Sequence, residues 1–109
     1  MVDNRIQIFI GFDYRERAAT NVLIDSLYNN SRLPISITPL LTKQLRKQKL
    51  YWRERDENQS TDFSFTRFLV PYLMNYQGWA VFMDCDILCR TDISELTNFY
   101  DDKFSLLCV

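Results

Sequence analysis

Residues 6–41 read IQIFIGFDYRERAATNVLIDSLYNNSRLPISITPLL, and the order of periodicities within them decides the fold class. Ile6-Gln7-Ile8-Phe9-Ile10 is apolar and rich in β-branched residues, which suits a buried strand. Gly11 ends that strand where the backbone must turn or approach a neighbour closely, and Asp13 suits the start of a helix. From Glu16 to Tyr28 apolar residues recur at Ala19, Val22, Leu23, Ile24 and Leu27, which is helical spacing with a core-facing stripe. Asn29, Asn30 and Ser31 stop it. Pro34 to Leu41 then reads as a second strand whose two prolines favour its ends. Strand, helix and strand make a βαβ unit with a right-handed crossover. The chain is therefore expected to be α/β, with a mostly parallel sheet and flanking helices.

Farther along, Lys43 to Arg55 holds Lys43, Arg46, Lys47, Lys49, Arg53 and Arg55 against Glu54, a net +5 within a chain of net −1. A solvated loop or short helix is expected there, since Asp56 and Glu57 follow at once. The interleaved Tyr51 and Trp52 leave an anionic membrane surface or nucleic acid as the alternative. Ser60 reads as an N-cap, with Asp62 in the first turn, for a helix running to about Asn75. Phe65, Phe68, Leu69, Tyr72, Leu73 and Tyr76 would form its core-facing side, and Pro71 would kink it. Trp79 to Met83 reads as a fully buried strand. Thr91 or Asp92 caps a short helix, and Phe104 to Val109 looks like a further interior strand. An apolar strand at that point suggests a fragment of a longer fold, or a fold that partner chains complete.

The 109 residues suffice for one small domain, and the aromatic share of 15% points to a core dense in Phe and Tyr. No stretch approaches the ~18 consecutive apolar residues of a membrane span, and the N-terminus has no leader pattern, so a cytoplasmic protein is expected. Cys85, Cys89 and Cys108 fit no zinc spacing and read as buried free thiols. The chain contains no His, which removes imidazole acid–base chemistry and imidazole metal ligands. Chemistry must then rest on carboxylates, Arg or Lys, backbone dipoles and a metal held by oxygen.

Val81-Phe82-Met83-Asp84-Cys85-Asp86 supplies such carboxylates at the end of an apolar strand. Residues i and i+2 of a strand point the same way, so Asp84 and Asp86 would repel each other unless a cation neutralised them. A hard divalent metal answers that need. Open α/β sheets bind ligands beyond the carboxyl ends of their strands. Gly11-Phe12-Asp13 and Asp84-Cys85-Asp86 are both such ends and can face one cleft.

Three segments in order carry a resemblance: residues 8–13 (IFIGFD), 64–73 (SFTRFLVPYL) and 81–86 (VFMDCD). They resemble glycosyltransferases of the GT-A fold. The nearest likeness is to bacterial family 8-like retaining enzymes, a group that includes lipopolysaccharide sugar transferases and glycogenin. The resemblance implies that residues 1–109 form a single nucleotide-sugar-binding domain, matching the N-terminal half of a longer GT-A domain. It implies that Asp84 and Asp86 hold Mn²⁺ or Mg²⁺ on the donor diphosphate, that of a UDP-sugar as the family's commonest donor. It further implies that Asp13 hydrogen-bonds the base, that Gly11 and Phe12 contact the nucleoside, and that Arg67 reaches the diphosphate or donor sugar. Arg15 is a weaker candidate for the same cleft. No catalytic nucleophile is implied. The acceptor would be a saccharide or lipid, the partners would not include nucleic acid, and a homo-oligomer or partner chain could complete the fold.

The family also draws a further metal ligand, commonly His, and most acceptor contacts from a C-terminal segment without counterpart here. Two alternatives stay open beside sugar transfer. One is a non-catalytic, truncated nucleotide-binding fragment. The other is a haloacid-dehalogenase-like phosphatase, which also opens its site with an apolar strand and Asp-Xaa-Asp. Each single residue has a bland reading too: Asp13 as a helix cap, Gly11 as turn chemistry, Arg67 as a surface or salt-bridged helix residue, and Asp84 and Asp86 as one turn cap and one partner of Arg90 or Arg67.

Overall fold

The computed structural model describes residues 5–108; residues 1–4, where a leader pattern was sought, and Val109 of the expected last strand lie outside them. Three strands form an all-parallel sheet: β1 (Ile6–Gly11), β2 (Ile35–Leu40) and β3 (Ala80–Asp84), in the order β2-β1-β3. The α/β class and the parallel sheet are those expected. Between β1 and β2 runs α1 (Arg17–Asn29), preceded by a 3-10 turn at Tyr14–Glu16. Its buried residues are Thr20, Leu23, Ser26 and Leu27. Val22, expected in the stripe, is exposed because this face is set by the spacing of the other four. Asn30 follows as the C-cap and ties the helix to the chain after β3: its side-chain amide donates to the carbonyls of Ser26 and Cys89, and its own carbonyl accepts from Ile93.

β1 is central and nearly all buried, and each side of the sheet has its own core. On one side Ile6, Ile8 and Ile10 pack with Leu23, Leu27, Cys85 and Ile93. On the other, Phe9 packs with Leu40, Leu45 and Tyr51, against which Phe65, Leu69, Leu73 and Met74 also lie. This second layer contains α2 (Thr42–Lys47), a 3-10 turn at Thr66–Leu69 and the single turn α3 (Val70–Leu73). Pro39 falls within β2, where its missing N–H is tolerated because β2 is an edge strand.

Six expectations need correction. The helix from Ser60 to Asn75 is instead a turn-rich stretch followed by the 3-10 turn and α3. Pro71 sits in the first turn of α3, where its lack of an N–H costs nothing, so there is no long helix for it to kink. The aromatic face assigned to that helix also divides, since Phe65, Leu69 and Leu73 pack inward while Phe68, Tyr72 and Tyr76 are exposed. β3 is half-buried throughout, because among the described residues it has a strand on one side only. Residues 104–108 form no strand and are exposed. Of the three free cysteines only Cys85 is buried; Cys89 is half-buried and Cys108 exposed. Burial pushes the Cys85 thiol up, partly offset by the Thr20 side chain and the Asp13 amide.

Candidate functional site at the carboxyl edge of the sheet

Parallel register brings the expected residues to one place. Gly11, the last residue of β1, pairs with Leu40 on one side and with Asp84 on the other, so the carboxyl ends of all three strands form one row. The chain leaves this row through Phe12, which is buried and meets Tyr14 edge-to-face at 5.0 Å between centroids.

Asp13 caps the 3-10 turn that follows, and it is 1% exposed. Its Oδ1 accepts from the Arg15 amide (2.9 Å) and Arg15 Nε (3.0 Å), and its Oδ2 from Arg15 Nη2 (2.7 Å) and the Asp62 amide (3.2 Å). An ionised carboxylate offers about four acceptor sites, and here all are taken. The Arg15 guanidinium chiefly holds the carboxyl far below the usual carboxylate range, against the opposing effect of burial and with help from both amides. Reciprocally, the Asp13 carboxylate raises Arg15. Arg15 Nη2 also donates to the Ser60 carbonyl at 2.9 Å. Asp13 and Arg15 thus form a clasp that pins residues 60–62 onto the end of β1.

That clasp explains Gly11. Phe63 follows the pinned residues and is buried, and a Cβ on Gly11 would lie 2.5 Å from Phe63 Cγ and 2.8 Å from Phe82 Cζ. The only described glycine with a positive φ is Gly78. Gly11 is therefore required by two aromatic rings seated against the strand and not by a left-handed turn. Ser60 and Asp62, read from sequence as helix-capping residues, are in fact the far side of this clasp, and Asp62 also pairs with Arg55.

Arg67 projects from the 3-10 turn of the second layer. Its Nε donates to the Phe63 carbonyl (3.4 Å), and its guanidinium lies 5.1 Å from the Phe82 ring centroid and 5.7 Å from that of Phe63. Nη2 stands 3.7 Å from Asp84 Oδ1, with both side chains near half-exposed. That separation is longer than a direct hydrogen bond, so both groups keep capacity for a further partner.

Asp86 is placed differently from expectation. β3 ends at Asp84, and Cys85 and Asp86 form a turn beyond it. Strand alternation therefore does not set Asp86 beside Asp84. Asp86 is exposed and makes no ion pair among the described residues. No group of three or more Cys, Asp or Glu side chains among the described residues is arranged to hold a metal ion. Asp84 is near half-exposed and Asp86 exposed, so both carboxylates are accessible to solvent. A shallow recess lined by Gly78, Trp79, Asp102, Phe104 and Ser105 lies elsewhere, against the start of β3.

The structure therefore brings together Gly11, Phe12, Asp13, Arg67 and Asp84 at one edge, with Asp86 in the adjoining turn. Arg15, a weaker candidate for the same cleft, joins them as a partner of Asp13, and the structure adds Ser60, Asp62 and Phe63 as a framework that sequence spacing had no means of linking to β1.

No protein-family model matches the chain, and no solved structure matches it. Protein CDI of Arabidopsis thaliana is 52% identical to it over 103 residues, which are 94% of this chain and 40% of the plant protein. The chain thus spans about two fifths of the length of that relative.

Proposed function

We propose that the carboxyl edge of this sheet binds the diphosphate of a nucleotide sugar through a divalent cation, as the donor half of a glycosyltransferase of GT-A type. The observation that carries the reading is the pairing of Gly11 with Asp84 at that edge, with Arg67 Nη2 3.7 Å from the carboxylate. A carboxylate and a guanidinium that face each other loosely can accept a ligand bearing both a cation and an anion. Asp84 and Asp86 would hold Mn²⁺ or Mg²⁺, which when bound supplies Lewis-acid neutralisation of the diphosphate.

The remaining roles belong to the chain itself. Arg67 places positive charge where the departing nucleoside diphosphate gains negative charge, and its guanidinium is already held by the Phe63 carbonyl and two rings, so little reorganisation is needed. Phe12 and the Gly11 backbone provide the floor beside the nucleoside. Asp13 acts through Arg15 and residues 60–62, keeping Phe63 and hence Arg67 in position. This departs from the base-binding role that the resemblance implies, because all four of its acceptor sites are occupied.

A second reading, binding of the nucleotide without transfer, is favoured by the two-carboxylate donor set. Both predict that UDP with Mn²⁺ stabilises the fold by about 2.7 kcal/mol at a hundred times the dissociation constant and so raises the melting temperature. Consumption of a radiolabelled UDP-sugar separates them. A melting temperature indifferent to UDP and Mn²⁺ together would discard both.

A further inference from the structure

The layer of residues 42–76 has two unlike sides. Its inner side fills the second core through Leu45, Tyr51, Phe65, Leu69 and Leu73. Elsewhere in the same layer Trp52 is 82%, Phe68 72% and Tyr76 75% exposed. Tyr72 is exposed as well and meets Tyr76 edge-to-face at 6.4 Å. Phe68 lies in the 3-10 turn, Tyr72 in α3 and Tyr76 just beyond it, while Leu69 and Leu73 pack inward. Such a concentration of large rings in water marks an interaction surface.

Charge is divided in the same way. Residues 42–76 carry seven Lys or Arg and four Asp or Glu, a net +3, so the rest of the chain carries −4. Lys47 and Lys49 are exposed beside Trp52 in sequence. Arg46 and Arg53 lie with their guanidinium groups over the rings of Tyr51 (4.7 Å) and Phe65 (3.8 Å), at the boundary between core and solvent. Residues 68–79 hold no Lys or Arg at all. One side of the sheet therefore bears a basic zone with a tryptophan and, in the same layer, an uncharged zone of three aromatic rings.

We propose that this face docks on an anionic lipid surface. Trp and Tyr rings settle at the level of the headgroups, where an apolar body and a polar tip are both satisfied. Lysines nearby gain from the negative surface potential of the leaflet. A single-stranded nucleic acid would need cations alternating with its stacking rings along one groove, and the ring-bearing stretch 68–79 has none. No described helix is long and apolar enough to cross a membrane, so the contact is peripheral. Glu54, Asp56 and Glu57 are exposed in the same layer and must stay clear of the surface.

Flotation of the full chain with vesicles tests this without recourse to the nucleotide reading. Phosphatidylcholine vesicles containing phosphatidylserine should retain the chain, and pure phosphatidylcholine vesicles should retain much less. Binding should weaken with salt and shift the Trp52 emission to the blue, a shift lost in Trp52→Phe. Lys47→Glu with Lys49→Glu should lower retention by more than about fivefold per lysine, the loss expected from neutralisation alone. Tyr72→Ser with Tyr76→Ser should lower it with charge unchanged. All these side chains are exposed, so circular dichroism and melting should match the parent. Equal retention on neutral vesicles, indifference to the lysine reversal, tighter binding to a single-stranded oligonucleotide, or a dimer that Trp52→Ser dissolves would each overturn the proposal.

Discussion

Asp13 and Asp84 stand at the ends of neighbouring strands, yet their surroundings differ in every respect that decides what a carboxylate can do. Asp13 is buried, accepts four hydrogen bonds and is neutralised by a guanidinium. Asp84 is near half-exposed and touches its arginine only loosely. A saturated carboxylate holds structure together, whereas an open one can trade its present partner for a ligand. The same contrast separates Arg15, committed to Asp13 and the Ser60 carbonyl, from Arg67, which retains free donors.

The largest effect that would break the contrast is Asp13→Ala. Removing it leaves two amides without their acceptor and Arg15 without its partner, and should cost about 3 kcal/mol of stability by denaturant titration. The pH dependence should agree in sign. A carboxyl whose folded pKa is depressed contributes stability that is complete above its unfolded value of about 3.9 and is lost as pH falls through the lower folded value. The advantage over Asp13→Asn should accordingly stay level from neutral pH to about 5 and shrink only in acid. Were Asp13 instead an open ligand-binding group, neither loss would be seen.

Next comes Asp84→Ala, which should abolish the stabilisation by UDP with Mn²⁺, about 2.7 kcal/mol under the saturating condition given above. The unliganded protein should change by no more than about 0.5 kcal/mol. Retention of the ligand effect would transfer the metal role away from this strand end. Gly11→Ala should destabilise by about 2 kcal/mol through overpacking against Phe63 and Phe82. Phe63→Leu, with a slimmer side chain, should recover part of that loss in the double variant; no recovery would sever Gly11 from the clasp. The smallest effect belongs to Arg67→Ala, which should barely alter melting but should weaken UDP more than uridine, read as separate dissociation constants.

How far the sequence could be read follows from the range of the forces involved. Ile6–Gly11, the helix after it and the strand at Ile35–Leu40 were legible because period and stop signals are local. So was the end of β3 near Asp84, although the strand stops two residues short of Asp86 and does not align the two carboxylates. The segment from Ser60 to Ser64 has the local signature of a helix start, yet its real partners are Asp13 and Arg15, and nothing in its own spacing records so distant an ion pair. Phe68, Tyr72 and Tyr76 were assigned to a core because an apolar ring has the same signature whether a protein interior or another surface receives it. Gly11 reads from sequence as either a turn or a close approach, and it is the second, with Phe63 as the group that approaches.

The order β2-β1-β3 also governs when the site comes into being. β1 joins β2 across the short excursion of α1, whereas its contact with β3 closes a loop more than twice as long, and longer closures lag behind shorter ones. The βαβ half can therefore assemble before Asp84 arrives, and β3, anchored along one margin, can peel away while that half persists. Amide protons of β3 should exchange with solvent sooner than those of β1, and a ligand that bridges the two strands should slow them selectively.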